Sequence, residues 1–100
     1  MVPSPPPLRL SVMAVAVSEV PEFESVFNIP ATHQLFAVRS RSRGGPVLAE
    51  FWEHEEYSPD GHLVARYESY EEIGPSGTRY GCWRKFDTSG RLVTVGGRLH

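Results

Sequence analysis

From His33 onward, apolar and polar residues alternate with the two-residue period that is typical of β-strands. Clusters of turn-forming residues divide this alternation into five stretches. Strands joined by short turns favour an antiparallel meander, and none of the stretches has a helical period. The predicted fold class is therefore all-β, with a single small antiparallel sheet. The predicted strands are residues 34–40, 47–57, 62–70, 79–86 and 91–95.

The alternation is imperfect on every predicted strand, so neither face of the sheet is wholly apolar. The right-handed twist of β-strands lets a sheet curl, and curling buries one face better than a flat sheet does. An open barrel of the SH3-like kind is therefore the alternative form of the same meander. A flat sheet would leave these aromatic side chains partly exposed: Trp52, Tyr67, Tyr70, Tyr80 and Trp83.

Residues 50–70 predict one β-hairpin from their turn chemistry. Pro59 presets φ for the second position of a type I turn and Asp60 suits the third. Gly61 takes the left-handed conformation that closes a three-residue loop with a bulge. The strands then run directly into the turn. The expected cross-strand pairs are Tyr57 with Leu63, Glu56 with Val64, Glu55 with Ala65, His54 with Arg66, Glu53 with Tyr67 and Trp52 with Glu68.

The same pattern recurs at residues 86–93: an aromatic residue, three turn-forming residues, Gly90, a polar residue and then Leu-Val. If both turns close alike, Phe86 pairs with Leu92 and clamps the second hairpin beside its turn. Two copies are too few for a repeat protein, since stacked arrays need about three units or more.

This aromatic-x-x-x-Gly-x-Leu-Val unit resembles the hairpin units of YD-type and MORN-like β repeats. The region from His33 to Val95 also resembles short β proteins of cyanobacteria to which no activity is assigned. The resemblances imply β-hairpins. They supply no catalytic residue to transfer.

Residues 1–32 differ in composition from the rest of the chain. Four prolines among the first seven residues predict a disordered or polyproline-like start. The apolar run 10–17 is too short to span a membrane and lacks the charged leader of a signal peptide, and Met13 is an alternative start. Acidic and apolar residues mix over 19–29, which favours a mobile linker over a docking segment or one helical turn. The predicted organisation is a disordered or extended segment 1–32, a β domain 33–96 and a frayed tail 97–100.

Composition excludes several classes of protein. The formal net charge is -2 and 22% of the residues are charged, which indicates neither a strongly basic nucleic-acid footprint nor an acidic tail. Cys82 is the single cysteine. One cysteine excludes an internal disulfide and a cysteine-built zinc or iron–sulfur site within one chain. A reducing, cytoplasmic setting is predicted.

The acidic stretch at residues 53–56 is the strongest candidate for chemistry. The run His54-Glu55-Glu56 resembles the start of a zinc-protease helix motif, but Ser58 stands where the second histidine is needed and the stretch is a strand. Metal binding with His62 would require a slipped register, so a solvated acidic face is the preferred interpretation. Cys82 has no local catalytic signature and is interpreted as a small apolar group. No catalytic, metal or cofactor residue is predicted, and the protein is expected not to be an enzyme.

The protein is predicted to be a small, soluble β module that acts as a protein–protein interaction or accessory subunit. The sheet has more aromatic and arginine side chains than its core needs, and these residue types are enriched at protein interfaces. An edge strand can also accept a partner strand or pair with a second copy. The alternative is a single-stranded nucleic-acid-binding module that uses Tyr80, Trp83, Arg84 and Lys85, although glutamates crowd the middle strands. The residues expected to contact the partner are Trp52, Tyr70, Tyr80, Trp83 and Arg84.

Overall fold

A computed structural model describes residues 20–100 of the chain, and the predictions made for residues 1–19 lie outside them. Five strands form one antiparallel sheet in the order β1-β2-β3-β4-β5. The all-β meander is therefore confirmed. Strands β1 and β5 are the two edges and do not pair with each other, so the sheet is open and does not close into a barrel. The elements are α1 (Phe23–Val26), β1 (Gln34–Arg43), β2 (Leu48–Tyr57), β3 (Leu63–Ile73), β4 (Arg79–Phe86) and β5 (Leu92–Gly96).

Both predicted hairpins close in the expected way. Gly61 and Gly90 have φ angles of 88° and 89°, the left-handed conformation that a residue with a Cβ adopts only with strain. In each turn the Gly N–H bonds back to the carbonyl three residues earlier, at 2.9 Å in the first hairpin and 3.0 Å in the second. Tyr57 lies opposite Leu63, as predicted, and Phe86 lies opposite Leu92.

Beyond those first pairs the predicted register of the β2–β3 hairpin is wrong. A bulge places one extra residue, Val64, between Leu63 and Ala65. A bulge leaves one residue unpaired and shifts every later pair by one position. Consequently Trp52 lies opposite Ser69 rather than Glu68. The observed pairs also include Glu56 with Ala65, Glu55 with Arg66, His54 with Tyr67 and Glu53 with Glu68.

Helix α1 packs across one face of the sheet. Phe23 and Phe27 are both buried and belong to the same cluster as Ala65 and Tyr67. The Phe27 ring stacks on Tyr67 with centroids 4.1 Å apart. The mobile-linker prediction is therefore wrong for the described part of this segment, because two aromatic side chains spaced one helical turn apart complete the apolar core.

The C-terminal tail packs on the same face, so the prediction of fraying is wrong for its last residues. Leu99 is only 3% exposed. Its side chain lies against Gly81, where the missing Cβ leaves room for it. His100 places Nε2 2.7 Å from the buried carboxylate of Glu71. We call this side of the sheet the covered face.

Candidate functional site

The opposite side of the sheet, which we call the open face, has no described helix packed on it. It is built from residues that alternate with those of the covered face along each strand. Strand pairing aligns them in rows that cross the sheet. The residues that define the open face are Phe36, Arg39, Arg41, Phe51, Glu53, Glu68, Tyr70, Tyr80, Arg84 and Phe86.

One row of the open face consists of four charged residues. Arg39, Glu53, Glu68 and Arg84 follow one another across β1 to β4, so the signs run positive, negative, negative, positive. Arg84 Nη2 donates to Glu68 Oε1 at 2.6 Å, and Arg39 Nε lies 3.7 Å from Glu53 Oε1. Exposed pairs of this kind contribute about 1 kcal/mol or less to folding. The row therefore adds little to the stability of the fold, and its main consequence is an ordered pattern of charges on the open face.

The neighbouring row is aromatic. Phe51 and Tyr70 lie with ring centroids 4.7 Å apart. The guanidinium of Arg41 sits 5.0 Å from the Phe51 centroid, and that of Arg43 sits 5.9 Å from it. A cation–π contact of arginine with an aromatic ring near the surface contributes about 0.5 to 1 kcal/mol.

A shallow depression of about 250 Å³ lies between the two rows. Its walls combine donors, acceptors and an apolar surface within one patch. Flat arginine and aromatic groups around a depression are suited to receiving a side chain from another macromolecule. The open-face side chains that line it are Arg39, Arg41, Phe51, Glu53, Glu68 and Arg84.

Comparison of the chain with family models, curated proteins and solved structures finds no match. Function is therefore inferred from the two faces themselves. Within residues 20–100 there is no group of three or more His, Cys, Asp or Glu side chains that could hold a metal ion. No helix in the same part of the chain is long and apolar enough to cross a membrane.

The buried acids of the covered face are used within the fold. Glu56 accepts a hydrogen bond from Tyr67 Oη at 2.7 Å, and its other oxygen lies 2.5 Å from His33 Nδ1. Burial, with a smaller effect of this hydrogen bond, raises the pKa of Tyr67. Glu71 is paired with Arg79 at 3.3 Å as well as with His100. A buried carboxylate needs such partners, so both acids have structural roles.

His54 does not form the metal site considered from the sequence. Its ring is 5% exposed and lies 4.3 Å from the centroid of Phe23. Nδ1 has no hydrogen-bond partner in the structure. Burial lowers the pKa of His54, and the negative charge of Glu24 opposes this effect. His62 instead lies in the exposed turn, with Nδ1 3.0 Å from Asp60 Oδ2.

The five residues expected to contact a partner are divided between the faces. Trp52 and Trp83 point to the covered face, where their rings contact Phe23 and Phe27. Tyr70, Tyr80 and Arg84 lie on the open face, and Tyr80 is 60% exposed there. The two tryptophans therefore help to hold α1 on the sheet.

The four residues predicted to bind nucleic acid, Tyr80, Trp83, Arg84 and Lys85, are also divided between the two faces. Lys85 points with Trp83 to the covered face, where its ammonium lies 5.8 Å from the Tyr67 centroid. Tyr80 and Arg84 point to the other side, so the four residues do not share one platform.

Sequence reasoning missed Phe51, which is central to the open face. The signal was available in the strand alternation, because Phe51 and Glu53 are two residues apart on β2. The cross-strand partner of Phe51 could not be identified without the register.

Proposed function

We propose that the protein is a non-enzymatic interaction module that binds another protein through the open face. The observation that supports this proposal is that other elements of the chain pack on one face of the sheet and not on the other. Helix α1 and the C-terminal tail complete the core on one side. On the other side no described helix covers the charged and aromatic rows, so Arg39, Arg41 and Arg84 are exposed and Phe51 and Tyr70 are only half-buried.

The charge row favours a protein over a nucleic acid as the partner. Glu53 and Glu68 lie side by side at the centre of the open face, where they repel a phosphate backbone. A folded protein can place a basic group on these acids and acidic groups on Arg39 and Arg84, since protein surfaces carry both signs. The partner expected is therefore a protein surface with a basic residue flanked by acids.

As part of the same proposal, the protein is not an enzyme and acts in the cytoplasm. Its support is that the buried acids Glu56 and Glu71 are already paired within the fold, and that Cys82 is the only cysteine. The resemblance of the hairpins to YD-type and MORN-like units, and of the chain to cyanobacterial β proteins, stays a prediction.

A photo-crosslinking experiment tests the binding face. A photoreactive phenylalanine analogue replaces Tyr80 on the open face and, in a matched control, Thr88 in the exposed β4–β5 turn. In extract of the cells that make the protein, we expect one discrete protein adduct at position 80 that unlabelled wild-type chain competes away.

The control position should not form that adduct, and Arg84→Glu should weaken it by reversing one end of the charge row. Equal adducts at both positions, or an adduct unchanged by Arg84→Glu, would contradict the proposal. Salt-sensitive binding of a single-stranded oligonucleotide at Tyr80 would favour the nucleic-acid alternative instead.

A further inference from the structure

The two edge strands of the sheet differ in charge. Strand β1 carries Arg39, Arg41 and Arg43, and basic side chains on an edge oppose pairing with another strand. Strand β5 has the sequence Leu-Val-Thr-Val-Gly, without a charged residue or a proline. Each edge contains one bulge, at Val38 and at Val93, so the bulges do not account for the difference.

The uncharged edge is also exposed. Val95 is 62% exposed, and Leu92 and Val93 are exposed on the same strand. An edge strand presents a row of backbone donors and acceptors that a second strand can pair with. No strand among the described residues pairs with the outer side of β5.

We propose that β5 pairs antiparallel with β5 of a second copy of this chain, with Thr94 close to the two-fold axis. A two-fold interface must be self-complementary, and the sequence Val93-Thr94-Val95 reads the same in both directions. Each Val93 then lies opposite Val95 of the second copy, and the two Thr94 side chains are adjacent. Pairs of β-branched residues and Thr–Thr pairs are favourable across strands.

The flanking charges fit the same register. Strand β5 runs from Leu92 to Gly96, so Arg91 and Arg98 both lie outside the paired stretch. No arginine is therefore placed opposite another arginine.

The corresponding pairing of β1 with itself would bring three arginines of each copy together, which is unfavourable at short range. Pairing of β1 with β5 of the next copy would be heterologous, and each pair formed in this way would still have two free edges. Pairing through β5 closes after two copies, because it uses both free β5 edges.

The proposed dimer has a definite geometry and strength. Residues directly opposite in antiparallel strands point to the same side, so both open faces would lie on one side of a continuous sheet and both α1 helices on the other. One short edge strand buries far less than the about 1,000 Å² typical of stable interfaces. The dimer is therefore weak and depends on protein concentration.

Sedimentation of the full chain tests this pairing. We expect the mass to rise from that of the 11.2 kDa monomer towards twice that value as the concentration rises from micromolar to millimolar. Thr94→Lys should weaken association by at least about tenfold, because the two lysines would be adjacent at the axis. Val38→Lys is the matched control at the other edge and should not change it. A constant monomer mass, or equal effects of the two variants, would overturn the proposal.

A disulfide test reports the register. In a Cys82→Ser background, Thr94→Cys should form a disulfide-linked dimer on mild oxidation, because facing Cα atoms in antiparallel strands lie about 4.5 to 5.5 Å apart. Val38→Cys in the same background should remain monomeric. The reverse result would place the interface on β1.

Two variants distinguish the proposed dimer from the proposed binding of a partner protein by the open face. Arg84→Glu should change partner crosslinking but leave the sedimentation mass as in wild type. Thr94→Lys should do the opposite, because Thr94 lies opposite Lys85 and points to the covered face.

Discussion

Aromatic side chains occur on both faces of this sheet, but their surroundings differ. On the covered face, Trp52, Tyr67 and Trp83 contact one another or the phenylalanines of α1. On the open face, Phe51 and Phe86 instead contact the exposed arginines Arg41 and Arg84. The difference shows that aromatic residues alone do not identify a binding surface in a small β protein. Whether they are buried in a core or left at the surface depends on the element that packs against them.

The largest expected effect concerns the residue that joins α1 to the sheet. Phe27 is 5% exposed and contacts Tyr67, His54 and Trp83. Phe27→Ala should lower the free energy of unfolding by about 3 to 5 kcal/mol, as measured by urea denaturation. Phe36→Ala is the matched change on the open face, where the ring is 49% exposed, and should cost less than about 1 kcal/mol. Similar losses in both variants would show that the faces do not differ in this way.

A second prediction concerns the close approach of β5 to Trp83. A Cβ at Gly96 would overlap the Trp83 indole. Because Phe27 packs on that ring, Gly96→Ala should lower the free energy of unfolding by about 1 to 3 kcal/mol. Gly97→Ala, with nothing near the added methyl, should be close to neutral in the same denaturation assay. Equal stability of the two variants would mean that the indole is free to move away.

The bulges and the packing of α1 mark the limit of what the sequence predicts. The turns were predictable, because Pro59, Gly61 and Gly90 determine backbone conformation locally. The bulge at Val64 depends on how two whole strands pair, and no local signal distinguishes that valine from a paired one. The register, and with it the division into faces, could therefore not be derived from turn chemistry.

The candidate site was predictable only in part. Tyr70, Tyr80 and Arg84 lie on the open face as the interaction hypothesis requires, whereas Trp52 and Trp83 lie under α1. Alternation alone places Trp83 and its neighbour Arg84 on opposite faces. Which of those faces is covered depends on a segment separated from them by more than fifty residues, and sequence pattern does not identify that contact.

A third prediction uses pH to test the covered face. The folded-state pKa of His54 lies below the ordinary value of 6.5, mainly because of burial. As the pH falls below 6.5, the unfolded chain binds a proton that the folded chain does not, so the free energy of unfolding should fall with it. His54→Leu should flatten this dependence relative to wild type in denaturation curves between neutral and mildly acidic pH. His62→Gln, at an exposed turn, should leave it unchanged, and a dependence that survives in His54→Leu would assign it to another group.

The smallest expected effect on stability belongs to the charge row. Arg84 pairs with Glu68, but its side chain is 57% exposed. Arg84→Ala should therefore change the free energy of unfolding by about 1 kcal/mol or less in urea denaturation. Its effect on partner binding should be larger, because the open face loses one end of its charge pattern. A large loss of stability would instead give the row a structural role.

Chemical-shift mapping tests the division between the faces most directly. The isotope-labelled full chain is titrated with the protein identified by crosslinking at Tyr80, and backbone and aromatic resonances are followed. The structural account predicts that the shifts concentrate on the open-face rows, around Phe51, Glu68 and Arg84, while Phe27 and Trp83 stay unchanged. Shifts concentrated on Phe27, Trp83 and α1 would contradict it, because the partner would then bind by displacing the helix from the covered face.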